Sequence, residues 1–245
     1  MRIYRTAQVA GATGVHPNTV RLYERLGLIP EAHRQANGYR AFTGFHIEQI
    51  RLIRMALQTE IVQNGLRKQA VEIVKTAARR NLDEALGLAR DYLHNIQKEQ
   101  GHALEAIRQA ETILKDARPA ATPSMKRKEV AQHLQVSMDT LRNWELNGLL
   151  TVKRKQNGYR CYTEEDIRRL RIIRALRCAN YSLEAILRML NTLSRDTDAD
   201  MGRALNTPDQ EADVVSVCDR LLTSLREAEA NARDMLRQIE KMKDL

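Results

Sequence analysis

Two arginines stand in near-identical surroundings, Arg21 in Thr19-Val20-Arg21-Leu22-Tyr23-Glu24 and Arg142 in Thr140-Leu141-Arg142-Asn143-Trp144-Glu145. Two more, Arg40 and Arg160, each close an Asn-Gly-Tyr-Arg run, Asn37-Gly38-Tyr39-Arg40 and Asn157-Gly158-Tyr159-Arg160. A guanidinium is always charged and presents a planar fork of donors that matches phosphate oxygens. Polar side chains stand just before the helical arginines, Asn18 and Thr19 in one run and Asp139 and Thr140 in the other, and each can donate or accept hydrogen bonds. This is the chemistry of recognition, not of bond making. No Ser/His/Asp grouping and no phosphate-cradling glycine loop occurs, so no catalytic residue is expected. Cys161, Cys178 and Cys218 lie far apart without a CxxC pair, and neither a disulfide framework, a bound metal nor any other cofactor is expected. Asp196-Thr197-Asp198-Ala199-Asp200 has the look of a calcium loop, but glycine comes one place late and Thr207 stands where the closing glutamate belongs. A solvated connection is the expected reading there.

These residues need a scaffold, and the sequence supplies it twice. The two copies are offset by 121 residues up to Gly27-Leu28 and Gly148-Leu149 and by 120 afterwards. Two copies at so long a period exclude a solenoid and point to a duplicated small domain. Each begins with a short helical pattern, Thr6 to Ala10 and Arg127 to Leu134. A second helix follows a start signal: His16 before Pro17, with proline at the first helical position, and Ser137 as a hydroxyl cap. Gly27 and Gly148 end these helices in the left-handed conformation. The Asn-Gly pairs then predict hairpins, the wings. Thr43 and Thr163 open third helices whose apolar positions, Ile47, Ile50, Ile53 and Leu57 or Ile167, Leu170, Ile173 and Leu176, recur at helical spacing. A short fourth helix is clearest from Ser182 to Leu187, and residues 58–74 match it poorly.

Long heptad seams follow each copy. Leu86, Ala89, Leu93, Ile96, Gln100, Ala103, Ile107, Ala110 and Leu114 form one; Val214, Cys218, Leu221, Leu225, Ala228, Ala232, Met235, Ile239 and Met242 form the other. Each spans roughly 42 Å. Cys218 is read as a seam residue, not a ligand. Between the first seam and the second copy lies a proline-bearing linker that reaches about 28 Å at most. The second domain is therefore expected near the far end of the first long helix, which makes the two seams an antiparallel intramolecular coiled coil. The expected fold is mainly α: a first winged helix-turn-helix domain over 1–76, a long helix over 82–116 and a linker over 117–124. A second winged helix-turn-helix domain over 125–192, a connecting segment over 193–209 and a second long helix over 210–245 complete it.

Composition agrees. Lys and Arg number 40 against 31 Asp and Glu, a net charge of +9, which favours a polyanionic partner. The extra cations of the second copy, Lys153, Arg154, Lys155, Arg168, Arg169, Arg171 and Arg174, suggest a stronger non-specific grip by that half. No signal peptide or membrane-spanning run is visible, so a cytoplasmic protein without a membrane partner is expected.

The ordered set of Thr-x-Arg-x-aromatic-Glu, Gly-Leu, Asn-Gly-Tyr-Arg and a threonine-capped helix, present twice, resembles the MerR family of bacterial transcription regulators. The likeness covers about residues 3–74 and 125–191 and, more loosely, both long helices. It implies that the chain is a fused version of a dimer in which two winged helices meet a palindromic promoter, bend and untwist it, and bring its elements into register for RNA polymerase holoenzyme. Specificity at the centre would then come from deformation energy. The resemblance assigns phosphate contacts to Arg21, Arg142, Arg40 and Arg160, wing support to Tyr39 and Tyr159, and base-edge contacts to the first turns with Asn18, Thr19, Asp139 and Thr140, with His16 and Ser137 completing the expected DNA-binding set. The family often has two adjacent aromatics after the helical arginine, and here Leu22 and Asn143 take the first place. The turns differ, His16-Pro17-Asn18-Thr19 against Ser137-Met138-Asp139-Thr140, so unequal half-sites are expected. A monomeric pseudo-dimer is the leading assembly, with a homodimer as the other possibility, and an architectural DNA-binding role is the alternative function. No ligand-binding domain follows the second long helix, so any small-molecule signal is expected between the domains or along the coiled coil.

Overall fold

The computed structural model describes residues 2–58, 65–115, 125–152, 160–196, 199–207 and 220–245. The chain is mainly helical, and it divides into two compact units, Met1–Lys98 with Ser224–Leu245, and Glu99–Thr223.

In the first unit α1 (Thr6–Thr13) starts where the Gln8 side chain accepts the amide of Arg5 and stops at Gly14, whose φ of +65° only glycine adopts without cost. Helix α2 (Pro17–Arg25) begins with proline, and the His16 ring accepts the amide of Asn18 at 3.2 Å. Gly27 follows at φ +66°, letting the amide of Leu28 reach back to the Tyr23 carbonyl. Strands β1 (His33–Arg34) and β2 (Arg40–Ala41) form the antiparallel hairpin, pairing Arg34 with Arg40. Its turn is not a two-residue Asn-Gly turn. Gly38, at φ +79°, donates to the carbonyl of Gln35, and Gln35 pairs with Tyr39, which makes a three-residue loop with a left-handed closing glycine.

Helices α3 (Gly44–Gln58) and α4 (Leu66–Ala78) complete the copy. Val9, Val20, Phe42, Ile50, Ile53 and Ile73 form its dry centre. The buried Gln49 amide bridges two segments of this core, donating to the carbonyls of Leu28 and Val74 at 2.9 and 2.8 Å. Helix α4 occupies part of the stretch whose sequence matches the second copy poorly. It shows an apolar face of its own through Leu66, Ala70, Ile73, Val74 and Ala77.

One continuous helix, α5 (Leu82–Lys115), takes up nearly the whole span expected of the first long helix. Most of its seam is buried, Leu93 and Gln100 partly so, but Leu114 near its end is 38 % exposed.

The second copy repeats the order. Strand β3 (Met125–Lys126) precedes α6 (Arg127–His133) and α7 (Met138–Leu146), and then come β4 (Cys161–Tyr162), α8 (Glu164–Cys178) and α9 (Leu183–Arg195). The pairing of Met125 with Tyr162 repeats the Tyr4–Phe42 bridge of the first copy. Ser137 caps α7, Thr163 and Asp166 form a capping box on α8, and Ser182 caps α9. The fourth helix is therefore longer than the sequence suggests.

Asp196 and Asp200 are exposed, and beyond them helix α10 (Met201–Asn206), capped by Asp200, buries Met201 and Leu205. It packs on α9, and the Asn206 side chain accepts the amide of Leu222 at the start of α11 (Leu221–Met242). In α11 the seam residues Leu221, Leu225, Ala228, Ala232, Met235, Ile239 and Met242 are all buried.

Within the first unit α11 meets both α5 and α3. Gln97 donates to Glu229 at 2.9 Å, and Lys243 pairs with Asp83 at 2.5 Å. Gln238 donates to the Glu48 carbonyl and carboxylate at 3.0 and 2.8 Å, and Lys241 approaches the same carboxylate at 3.1 Å. Burial alone would raise the Glu48 pKa, but these partners, with Arg51 nearby, hold it below its ordinary value. The linker over 117–124, the start expected for the second long helix with Val214 and Cys218, and the second Asn157-Gly158 turn lie outside the described residues.

Candidate nucleic-acid interface

The start of the second helix in each copy is an exposed, polar turn held by its cap. His16, Asn18 and Arg21 are exposed and Thr19 is half-buried; Ser137, Asp139 and Arg142 are exposed and Thr140 is half-buried. The same pattern thus recurs side chain by side chain. The aromatic that follows is more enclosed: Trp144 is 4 % exposed and packs in the core, and Tyr23 is half-buried.

Local bonding differs between the turns. In the first, Arg21 donates to the Asn18 side chain at 3.4 Å, which leaves most of the guanidinium fork to solvent. In the second, the Ser137 hydroxyl accepts the Thr140 amide and also bonds the Thr140 hydroxyl at 2.8 Å. The helix amide ends and the adjacent arginines together favour an anion.

In each copy the arginine that closes the Asn-Gly-Tyr-Arg run is ion-paired with the glutamate of its own second helix. Arg40 meets Glu24 at 2.7 Å, and Arg160 meets Glu145 at 3.1 Å. The glutamate of the Thr-x-Arg-x-aromatic-Glu motif is thus the post that fixes the wing-base arginine. Both arginine side chains remain about one-third exposed, 31 and 35 %, so each can present its outer donors while its inner edge is held. Tyr39 stands 67 % exposed on the first hairpin, whose turn is tightened by the Asn37 side chain accepting the Tyr39 amide. Tyr159, with Lys153, Arg154 and Lys155, lies outside the described residues.

A cleft of about 520 Å³ opens between α2 and the first hairpin, lined by Arg21, Glu24, Arg25, Glu31, Arg34 and Arg40. Arg25 and Arg34 are additions to the residues named from sequence. Their signal was present: Arg25 lies one helical turn beyond Arg21, and Arg34 is the cross-strand partner of Arg40.

The cationic row of α8 is directed otherwise. Arg169 is half-buried and donates to the Leu149 carbonyl at 2.6 Å, burial drawing its pKa down while Asp166 and Glu165 oppose the shift. Arg171 bonds the His133 ring and Arg174 reaches the Gln135 side chain. These groups brace the second copy internally, which weakens the expectation of a broad extra cationic grip from this row. Among the described residues no group of three or more His, Cys, Asp or Glu could hold a metal ion, and no helix is long and apolar enough to cross a membrane.

Comparison with known proteins finds the same duplication. Residues 125–193 match the family described as MerR HTH family regulatory protein, and residues 5–42 match the MerR family regulatory protein description. Among similar proteins, the mercuric resistance operon regulatory protein of Bacillus cereus is 34 % identical over 65 residues, 26 % of this chain and 49 % of that protein. The HTH-type transcriptional regulator ZntR of Escherichia coli K12 is 38 % identical over 64 residues, 26 % of this chain and 45 % of ZntR. The HTH-type transcriptional regulator AdhR of Bacillus subtilis is 42 % identical over 60 residues, 24 % of this chain and 43 % of AdhR. The chain thus spans about half the length of these relatives. No solved structure matches it.

Proposed function

We propose that this chain, a MerR-family protein with two helix-turn-helix repeats, is a sequence-specific transcription regulator that works as a single-chain pseudo-dimer on promoter DNA. The observation that carries the reading is the doubled interface: the same exposed turn and the same glutamate-anchored arginine occur twice in one chain. In this reading each α2-type helix enters a major groove with Asn18 and Thr19, or Asp139 and Thr140, at base edges. Arg21 and Arg142 hold phosphates from the helix, and Arg40 and Arg160 hold them from the wing base, with Tyr39 and Tyr159 supporting the wings. Arg25 and Arg34 extend the phosphate-facing cleft on the first copy.

The pseudo-dimer is an antiparallel coiled coil of the two long helices, and the contacts of the first unit support it. From Asp83 to Gln97 α5 advances, while their partners retreat along α11 from Lys243 to Glu229. The buried seam of α11 supports it as well. Bending and untwisting of the duplex between the half-sites then adjusts promoter spacing for RNA polymerase.

Asn18 and Asp139 give the halves different chemistry. An asparagine amide suits the paired donor and acceptor of adenine, whereas a carboxylate accepts from the amino group of cytosine. The half-sites are therefore unequal. Exchanging His16–Thr19 with Ser137–Thr140 should reverse the preferred orientation of the operator; identical footprints of parent and exchanged proteins on both orientations would overturn the assignment. Single-round transcription from a promoter with an overlong spacer tests the regulatory role, since bending without any change in transcript would mark an architectural protein instead. Solution mass with and without operator checks the assembly, and a dimeric mass throughout would replace the single-chain pseudo-dimer by four readers.

A further inference from the structure

The first copy contains a cavity of about 270 Å³ between the end of α2, the last turns of α3 and helix α4. That volume is at the small end of ligand sites. Leu26, Leu28, Ile53 and Val74 form apolar wall, and Arg67 and Lys75 line it from α4, about two helical turns apart. Among the described residues no acidic side chain lines it, and neither cation has an ion-pair partner.

At Gly27, beside the cavity, a Cβ would meet no described atom within 4 Å, and at the matching Gly148 of the second copy it would just touch the Leu187 side chain at 4.0 Å. Leu26, in the wall, is 52 % exposed despite its apolar side chain.

We propose that this cavity is a binding site for a small amphipathic monocarboxylate, its hydrocarbon body against the leucine and valine wall and its carboxylate between Arg67 and Lys75. An apolar wall with unpaired cations among its lining selects that combination, because the cations reward an anion and the wall rewards the hydrocarbon behind it. Leu26 and Leu28 flank the glycine turn that ends α2, so an occupant bears directly on the helix assigned to base reading. The signal would then be received inside the first domain, not between domains or along the coiled coil.

The test needs no DNA, so its outcome is independent of the regulatory reading. The full chain is titrated calorimetrically with octanoate and, separately, with 1-octanol. One saturable octanoate site per chain is expected, with 1-octanol at least tenfold weaker. The Arg67→Ala/Lys75→Ala double variant should weaken octanoate at least tenfold, and Val71→Trp, which fills the cavity from its lining, should abolish binding. Absence of saturable binding, equal affinity for the alcohol, or unchanged binding in the double variant would each overturn the proposal. If circular dichroism finds Val71→Trp unfolded, the double variant, altered only at the cations, decides the question.

Discussion

Glu24 and Glu145 occupy the same place in the two copies and anchor the same wing-base arginine, yet their remaining partners differ. Glu24 accepts from Arg40 and from the Ala32 amide. Glu145, whose side chain is only 8 % exposed, takes two guanidiniums, Arg160 and Arg127, and the Tyr162 hydroxyl besides. Where the second copy has Tyr162, the first has Phe42, fully buried and packed edge-on against His46. Burial, with the bond to Glu145, pushes the Tyr162 pKa up and keeps its proton in place as the donor. The exposed turn and the anchored arginine are thus shared, while beneath them Phe42 packs against His46 in one copy and Tyr162 joins a charged network in the other. Duplication lets the support diverge so long as the arginine stays where it is.

The largest expected effect tests that network. Glu145→Ala strands two partly buried guanidiniums and should destabilise the second unit by about 3 kcal/mol, the low end for a broken buried pair because both arginines keep some solvent. Glu24→Ala should cost about half as much, since a single guanidinium is left behind. Trp144, the only tryptophan and buried, reports the second unit in urea unfolding. Equal losses from the two substitutions would dissolve the contrast.

Next come the helical arginines. Arg21→Ala and Arg142→Ala should each weaken operator binding about tenfold and flatten the salt dependence by about one unit. A loss confined to one of them would mean that a single copy carries the phosphate grip.

The smallest effect concerns His46, which stands where the second copy has Asp166. Both accept the amide of the capping threonine: His46 from Thr43 at 3.0 Å, Asp166 from Thr163 at 2.8 Å. Burial, helped by Arg80, draws the His46 pKa below its ordinary 6.5, though the Pro30 backbone and Glu24 pull the other way. The unfolded chain then binds a proton more readily than the folded one. Stability is full above about pH 6.5 and falls as pH drops towards the folded value, by at most about 1.4 kcal/mol per unit. His46→Asp should remove this slope from thermal melts of the first unit between pH 7.5 and 5.5. A slope that persists in that variant would show the histidine to be a bystander.

Much of this was readable in the sequence because it rests on local chemistry. His16-Pro17, Ser137 and Thr163 announce helix starts, and the α11 seam from Leu221 to Met242 is buried at every expected place. What escaped depends on tertiary partners. Helix α4 starts after Gly65 without a side-chain cap, and its face resembles no segment of the second copy closely enough to be found by matching. Helix α10 is only six residues long, and its two buried residues are hidden behind a run of aspartates. The arginines of the hairpin bases were visible as cations, but their glutamate partners lie 16 and 15 positions away, a distance at which sequence does not announce pairing. Arg169 misled by its charge: the carbonyl of Leu149 uses it as Leu28 uses the neutral Gln49.

The first unit is stitched from both ends of the chain, Met1–Lys98 and Ser224–Leu245, whereas the second is the uninterrupted run Glu99–Thr223. A ribosome releases residues in order, and non-local contacts wait for their second partner. Glu48 therefore emerges early but meets Gln238 and Lys241 only when synthesis is almost over. The half made first matures last, so a prematurely terminated chain carries a finished second unit and an unclosed first one.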